Sequence, residues 1–150
     1  MKLILEINNR TTQKFSRKNI LGIFEHTLKL AKLECLKDKE LELSVAILSE
    51  AEIQKLNSDY RKKIKPTDVL SFCEHENSEK LCAEKRTHVF LGELILCSDV
   101  ISKNAKKDDE TFQYAFTYVV SHGILHLLGF DHGKKMFSLQ KQVADELVSP

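Results

Sequence analysis

Apolar positions along this chain recur with two periods, and the switch between them marks its elements. Leu3 to Ile7 alternates with polar and charged residues, which predicts a strand with one buried face. From Ser16 to about Leu36, Ile20, Phe24, Leu28, Ala31 and Cys35 recur at helical spacing and predict an amphipathic helix, with Gly22 as a weak point. Leu41 to Leu48 alternates and then becomes continuously apolar, a second strand buried in part. Ser49 and Glu52 have the spacing of a capping box, which opens a short helix to about Asp59. Val69 to Cys73 reads as a third strand after Pro66, and residues 74–87 are polar and aperiodic, a loop. His88 to Cys97 is a fourth strand, antiparallel to the third. Gly92 and Glu93 interrupt it, and a glycine within a strand marks a bulge or a close backbone approach. Ser98 is the expected cap of a short helix to about Lys107, and Asp108 or Asp109 the expected start of a long one. The apolar residues of that long helix, among them Ala115, Phe116, Val120, Ile124 and Leu127, cover more than one stripe, so it is a largely buried central element. A last helix runs from Gly133 to about Val148.

This order predicts an α/β (α+β) fold: a single domain over residues 1–150, with a small mixed four-stranded sheet packed with helices. The sheet is parallel where helices cross over and antiparallel at the hairpin. The long helix is expected along the sheet, with a site opening beside the sheet edge. A composition of 42% hydrophobic and 30% charged residues suits one domain with an adequate core. Apolar runs are too short to cross a bilayer, and MKLILEINNR has neither a cleavage site nor a long apolar region, so a cytoplasmic protein without a membrane partner is expected. Cys35, Cys73, Cys82 and Cys97 form no CxxC pair and are expected as reduced thiols. The net charge of +1 argues against broad nonspecific binding to nucleic acid, DNA included, so a polyanion must be held by a local patch.

The stretch TYVVSHGILHLLGFDH, Thr117 to His132, carries the chemistry. Helical spacing puts His122 and His126 on one face, one turn apart. Gly129 follows the last apolar residue, where a left-handed position ends the helix, and His132 then returns to the point the first two face. Three of the six histidines fall in these eleven residues, within an otherwise apolar segment where an unpaired imidazole is costly to bury. Three imidazoles with no fourth protein ligand nearby describe one zinc per chain with an open coordination position, the catalytic arrangement. The helix is metzincin-like in its three-His spacing, H-x-x-x-H-x-x-G-x-x-H. The protease motif needs Glu after the first His as general base, and Gly123 stands there, which argues against a metalloprotease.

Upstream, NSDYRKKIKPTDVLSFC crowds Arg61, Lys62, Lys63 and Lys65 into a loop. Residue types alone leave two readings open, solvated surface and phosphate binding. Within the run Arg61 stands out, because a guanidinium holds a phosphate by two hydrogen bonds where Lys is a point charge. Cys73, His75, Cys82 and His88 match no zinc-ligand spacing.

Together, HGILHLLGFDH, YRKKIKPTDVLSF and the intervening LGEL resemble the YbeY family of bacterial zinc-dependent endoribonucleases, also called ribosomal RNA maturation factors. The resemblance covers nearly the whole chain, with departures at Phe130, where Tyr is common, and in the polar loop after Cys73. It implies zinc held by His122, His126 and His132, and cleavage of single-stranded RNA in small-subunit (16S) ribosomal RNA 3′-end maturation and ribosome quality control. It further implies a functional arginine at Arg61, so Arg61 and His122 are the catalytic candidates. The small ribosomal subunit, a ribosomal protein and an assembly GTPase are the implied partners. In such a mechanism zinc acidifies a bound water and polarises a phosphate oxygen, and Arg61 stabilises the charge developing on that phosphate. Asp131, beside a ligand, is a candidate for orienting an imidazole. A non-catalytic, zinc-containing ribosome-assembly binding factor is the alternative; cleavage that depends on metal and on Arg61 discriminates the two.

Overall fold

The computed structural model describes residues 1–148; Ser149 and Pro150, the last two residues of the expected 1–150 domain, lie outside the described residues. Four strands form one mixed sheet: β1 (Lys2–Asn9), β2 (Glu40–Ile47), β3 (Val69–Cys73) and β4 (His88–Leu96), in the order β1-β2-β4-β3. β1/β2 and β2/β4 are parallel and β3/β4 is antiparallel, as expected: helices lie in the crossovers of the parallel pairs, and residues 74–87 connect the antiparallel pair.

Among the described residues six α-helices accompany the sheet: α1 (Arg17–Ala31), α2 (Glu50–Arg61), α3 (Ser78–Cys82), α4 (Ser98–Lys107), α5 (Phe112–Leu127) and α6 (Lys134–Leu147). The main core joins α1, α5 and α6 to one face of the sheet through Phe24, Leu43, Leu94, Phe116, Ile124 and Val143. A smaller cluster, Leu48, Ile53, Leu70 and Ile95, seats α2 on the other face. α5 is buried along most of its length, as its apolar coverage predicts.

Several boundaries differ from the sequence reading. α1 stops at Ala31, where Lys32 adopts a left-handed conformation, and the helical spacing resumes only as a 3₁₀ turn at Glu34–Leu36. The expected loop 74–87 contains α3, a single short helix capped by the Asn77 side chain, which accepts from the Lys80 amide. Cys97, not Ser98, occupies the N-cap of α4, and Thr111 caps α5, because Asp108 closes α4 and Asp109 turns the chain at positive φ. Ser49 and Glu52 form the expected capping box.

One correction concerns cysteine. Cys35 and Cys82 are disulfide-bonded, with Cα atoms 5.5 Å apart, so only Cys73 and Cys97 are free thiols. The pairing follows from two elements the periodicity did not show, the 3₁₀ turn carrying Cys35 and α3 carrying Cys82.

Gly92 fulfils both roles expected of a strand glycine. The β2/β4 register shifts at Glu42/Leu43, opposite Phe90 and Gly92, and a Cβ on Gly92 would lie 2.2 Å from the Phe72 carbonyl oxygen. The backbone of β3 therefore approaches β4 closely beside the cleft described next.

Candidate metal centre and the cleft around it

His122 and His126 project from the last turns of α5, and the chain reverses directly after it. Leu128 ends the helix, Gly129 takes φ +92°, and the amides of Gly129 and Phe130 return to the carbonyls of His126 and Leu125, both at 3.0 Å. That turn carries His132 back over the helix end. Donor atoms of the three imidazoles all lie within 4.8 Å of one another, and Nε2 of His126 and of His132 are 3.2 Å apart. The structure thus brings together the three residues that the spacing singles out.

The environment suits a cation. Burial, followed by the neighbouring His122 and His132 imidazoles, lowers the pKa of His126 to about 4, so its ring is neutral and offers a lone pair at physiological pH. Nδ1 of His122 donates to the Gln140 carboxamide oxygen at 2.9 Å, which fixes the proton on Nδ1 and leaves Nε2 for a ligand. Gln140 is buried in α6, with only 1% of its surface exposed. The imidazole orienter is therefore Gln140. Asp131 is solvent-exposed and makes no hydrogen bond to the three rings among the described residues, contrary to expectation. Three imidazole nitrogen donors without a carboxylate or thiolate fit a borderline divalent ion held by three ligands, with one position open.

Arg61 belongs to the same place. It is the last residue of α2 rather than a loop residue, and Lys62, left-handed, ends the helix behind it. Its Nη2 donates to the Ser71 carbonyl oxygen of β3 at 3.2 Å. Together with Ser71, Cys73 and the three histidines it lines a cleft of about 220 Å³. Cys73 sits within it as a thiol, its pKa raised by burial, with Sγ donating to the His126 carbonyl oxygen. Lys62, Lys63 and Lys65 are exposed on the loop beyond, next to an outward-facing Ile64.

Gly123, the position that excludes the protease motif, faces the sheet. A Cβ there would lie 2.7 Å from a methyl of Leu94, so the helix depends on glycine to sit close to β4. A glutamate at this position would enter the core.

The family model described as Endoribonuclease YbeY matches residues 6–148. This chain belongs to the YbeY family. A relative from Staphylococcus carnosus named Endoribonuclease YbeY is 37% identical over 126 residues, spanning 81% of this chain and 82% of that protein. One of the same name from Lactobacillus acidophilus is 38% identical over 133 residues, 82% of this chain and 76% of its own length. The solution structure of a Thermotoga maritima protein superposes with a TM-score of 0.62 at 29% identity, covering 95% of this chain and 88% of that one. The four-stranded mixed sheet, the flanking helices and the three-histidine turn thus form a YbeY-type fold, and the histidine cluster of this YbeY chain can hold a metal ion. No helix is long and apolar enough to cross a membrane among the described residues.

Gln140, Ser71 and Cys73 are the parts of the cleft that sequence reading missed. Each lies on an element other than the histidine helix, and no local spacing signals it.

Proposed function

We propose that this chain is one YbeY-like metallohydrolase domain over residues 1–150, a single-strand-specific, metal-dependent endoribonuclease that binds one zinc through His122, His126 and His132. The observation that carries the reading is the convergence of two separate motifs: a guanidinium, Arg61, and three imidazoles meet in one cleft of a chain similar to proteins named Endoribonuclease YbeY. When bound, the metal supplies a Lewis acid and a water acidified to near neutrality. His122, held by Gln140, and His126, kept neutral by burial, position that chemistry. Arg61 binds the scissile phosphate and stabilises the charge that grows on it, its donors preorganised by the Ser71 carbonyl. The substrate is ribosomal RNA, and 3′-end maturation of the small-subunit RNA in the cytoplasm is the setting the family resemblance supports. The small ribosomal subunit, one of its proteins and an assembly GTPase complete the specificity that a net charge of +1 leaves weak; DNA is not a substrate.

The test is cleavage of a defined single-stranded RNA by metal-loaded protein, by chelated protein and by Arg61→Ala. The expected result is activity in the first only. Equal cleavage in all three identifies a contaminating nuclease and overturns the reading.

A further inference from the structure

Beside the histidine cleft runs a second, larger groove of about 550 Å³, within the range of about 300–1,000 Å³ typical of small-ligand sites. His122 and Val69 line both, so the two spaces adjoin, and Gln140 forms part of the groove wall. The groove follows α5 back from His122 to Tyr114, about 12 Å along the helix, between α4 and α6. Tyr114 and Tyr118 line it, their rings near-parallel with centroids 6.5 Å apart. The Tyr114 hydroxyl donates to Asp145 at 2.8 Å, and Lys141 grips the same carboxylate, so this aromatic wall is clamped to α6. Among the described residues its charged groups are mainly acidic, the carboxylates of Asp68, Asp108 and Glu110 against the single cation Lys141, which is paired with Asp145; Asn104 and Gln140 add amides.

We propose that this groove receives the unpaired base and ribose of the nucleotide adjoining the scissile phosphate, stacked on Tyr118; this rests on the endoribonuclease reading above. Three carboxylates repel a phosphate chain, so the backbone stays on the Arg61 side and only the uncharged nucleoside turns inward. Aromatic stacking is the sequence-tolerant means by which proteins hold single-stranded bases. Carboxylate acceptors match the exocyclic amines of adenine, cytosine and guanine, and uracil has none. A paired base cannot turn inward without unstacking, which gives single-strand selectivity a structural cause.

Two measurements on the metal-loaded full chain test this. Cleavage is followed on a short single-stranded RNA whose nucleotide beside the cut bond is A, C, G, U or abasic. Tyr118→Ala is expected to raise KM roughly five- to hundredfold while Tyr118→Phe restores it, and the U substrate, which stacks but lacks the amine, is expected to be weaker than A, C or G and the abasic substrate weaker still. Glu110→Gln, on the exposed rim, is expected to narrow the preference for amino-bearing bases. Separately, adenosine 5′-monophosphate titrated into isotope-labelled protein is expected to shift the amide resonances of Asn104 and Tyr118 more than uridine 5′-monophosphate does. Wild-type cleavage with an unchanged KM and base preference in Tyr118→Ala overturns the groove assignment and leaves the nuclease reading intact. No cleavage of any RNA, with groove resonances still shifted by the nucleotide, overturns the nuclease reading and keeps a nucleoside site.

Discussion

Gln140 decides which nitrogen of His122 is free. Its carboxamide oxygen accepts a hydrogen bond from Nδ1–H at 2.9 Å, and replacing it with an apolar group strands that part-buried N–H and releases the ring to rotate. Gln140→Leu should therefore weaken metal binding by about 10–100-fold, read by competition with a chromogenic chelator. Affinity equal to wild type would show that His122 needs no partner. Arg61 presents the opposite case, because it is exposed and, among the described residues, hydrogen-bonds the Ser71 carbonyl alone. Arg61→Ala should keep its metal and nearly its melting temperature while losing about 10²–10³-fold in turnover. Arg61→Lys should rescue only in part, since an ammonium keeps the charge and loses the two-pronged geometry. A variant that melts several degrees lower and loses metal would make Arg61 a structural residue. The difference in legibility between these residues is physical. The histidines were readable because one helical period fixes where His122 and His126 point, whereas Arg61 stood out in a basic run that alone left two readings open and gained its role from the family resemblance. Gln140 lies eighteen residues beyond His122 on another helix, and only the packing of α6 on α5 brings it near.

At the scale of elements, the strands and long helices were legible because burial imposes a period on them, whereas α3 was not. It has five residues, too few to show a 3.6-residue pattern, and its only local signal is Asn77 at the N-cap. Yet α3 supports the metal turn. A Cβ on Gly129 would lie 2.2 Å from the Ser78 amide nitrogen, so the turn that delivers His132 rests on the first residue of α3. Gly129→Ala meets both this contact and a left-handed φ that costs a residue with a Cβ roughly 1–2 kcal/mol. We expect a lower melting temperature together with weaker metal binding; loss of stability with unaltered metal affinity would mean that His132 is placed independently of the turn. The far end of α3 is tied to the 3₁₀ turn through Cys35–Cys82. Bridging a sequence separation of 47 should stabilise the fold by an amount between the roughly 3 and 4.7 kcal/mol expected for 15- and 100-residue loops. Alkylation of protein denatured without reductant should then modify Cys73 and Cys97 alone, and labelling at all four cysteines would place the chain in its reduced form.

Across the whole molecule, a net charge of +1 conceals an uneven surface. Arg61 lines the histidine cleft, Lys62, Lys63 and Lys65 follow it on the loop beyond, and Lys134 and Lys135 open α6 just after His132, all of them exposed. The groove along α5 carries acidic side chains instead. On the base-groove proposal, a single RNA strand lays its phosphates across these basic residues and turns a base into the groove rather than running along α5. Such an arrangement engages few phosphates. With three or four of them neutralised, the slope of log affinity against log salt should be about −2 to −3, since each contributes roughly −0.7 for single strands. Arg61→Ala should make that slope shallower by about 0.7 and weaken binding alike for every sequence, because a phosphate contact carries no base information. Glu110→Gln should leave the slope nearly unchanged while altering base preference, since it faces the groove and not the backbone path. Fluorescence anisotropy of a labelled RNA at several salt concentrations measures all three. A wild-type slope steeper than about −6 would show that phosphates also track along the acidic groove side, and would contradict the division of the surface into a backbone rim and a base groove.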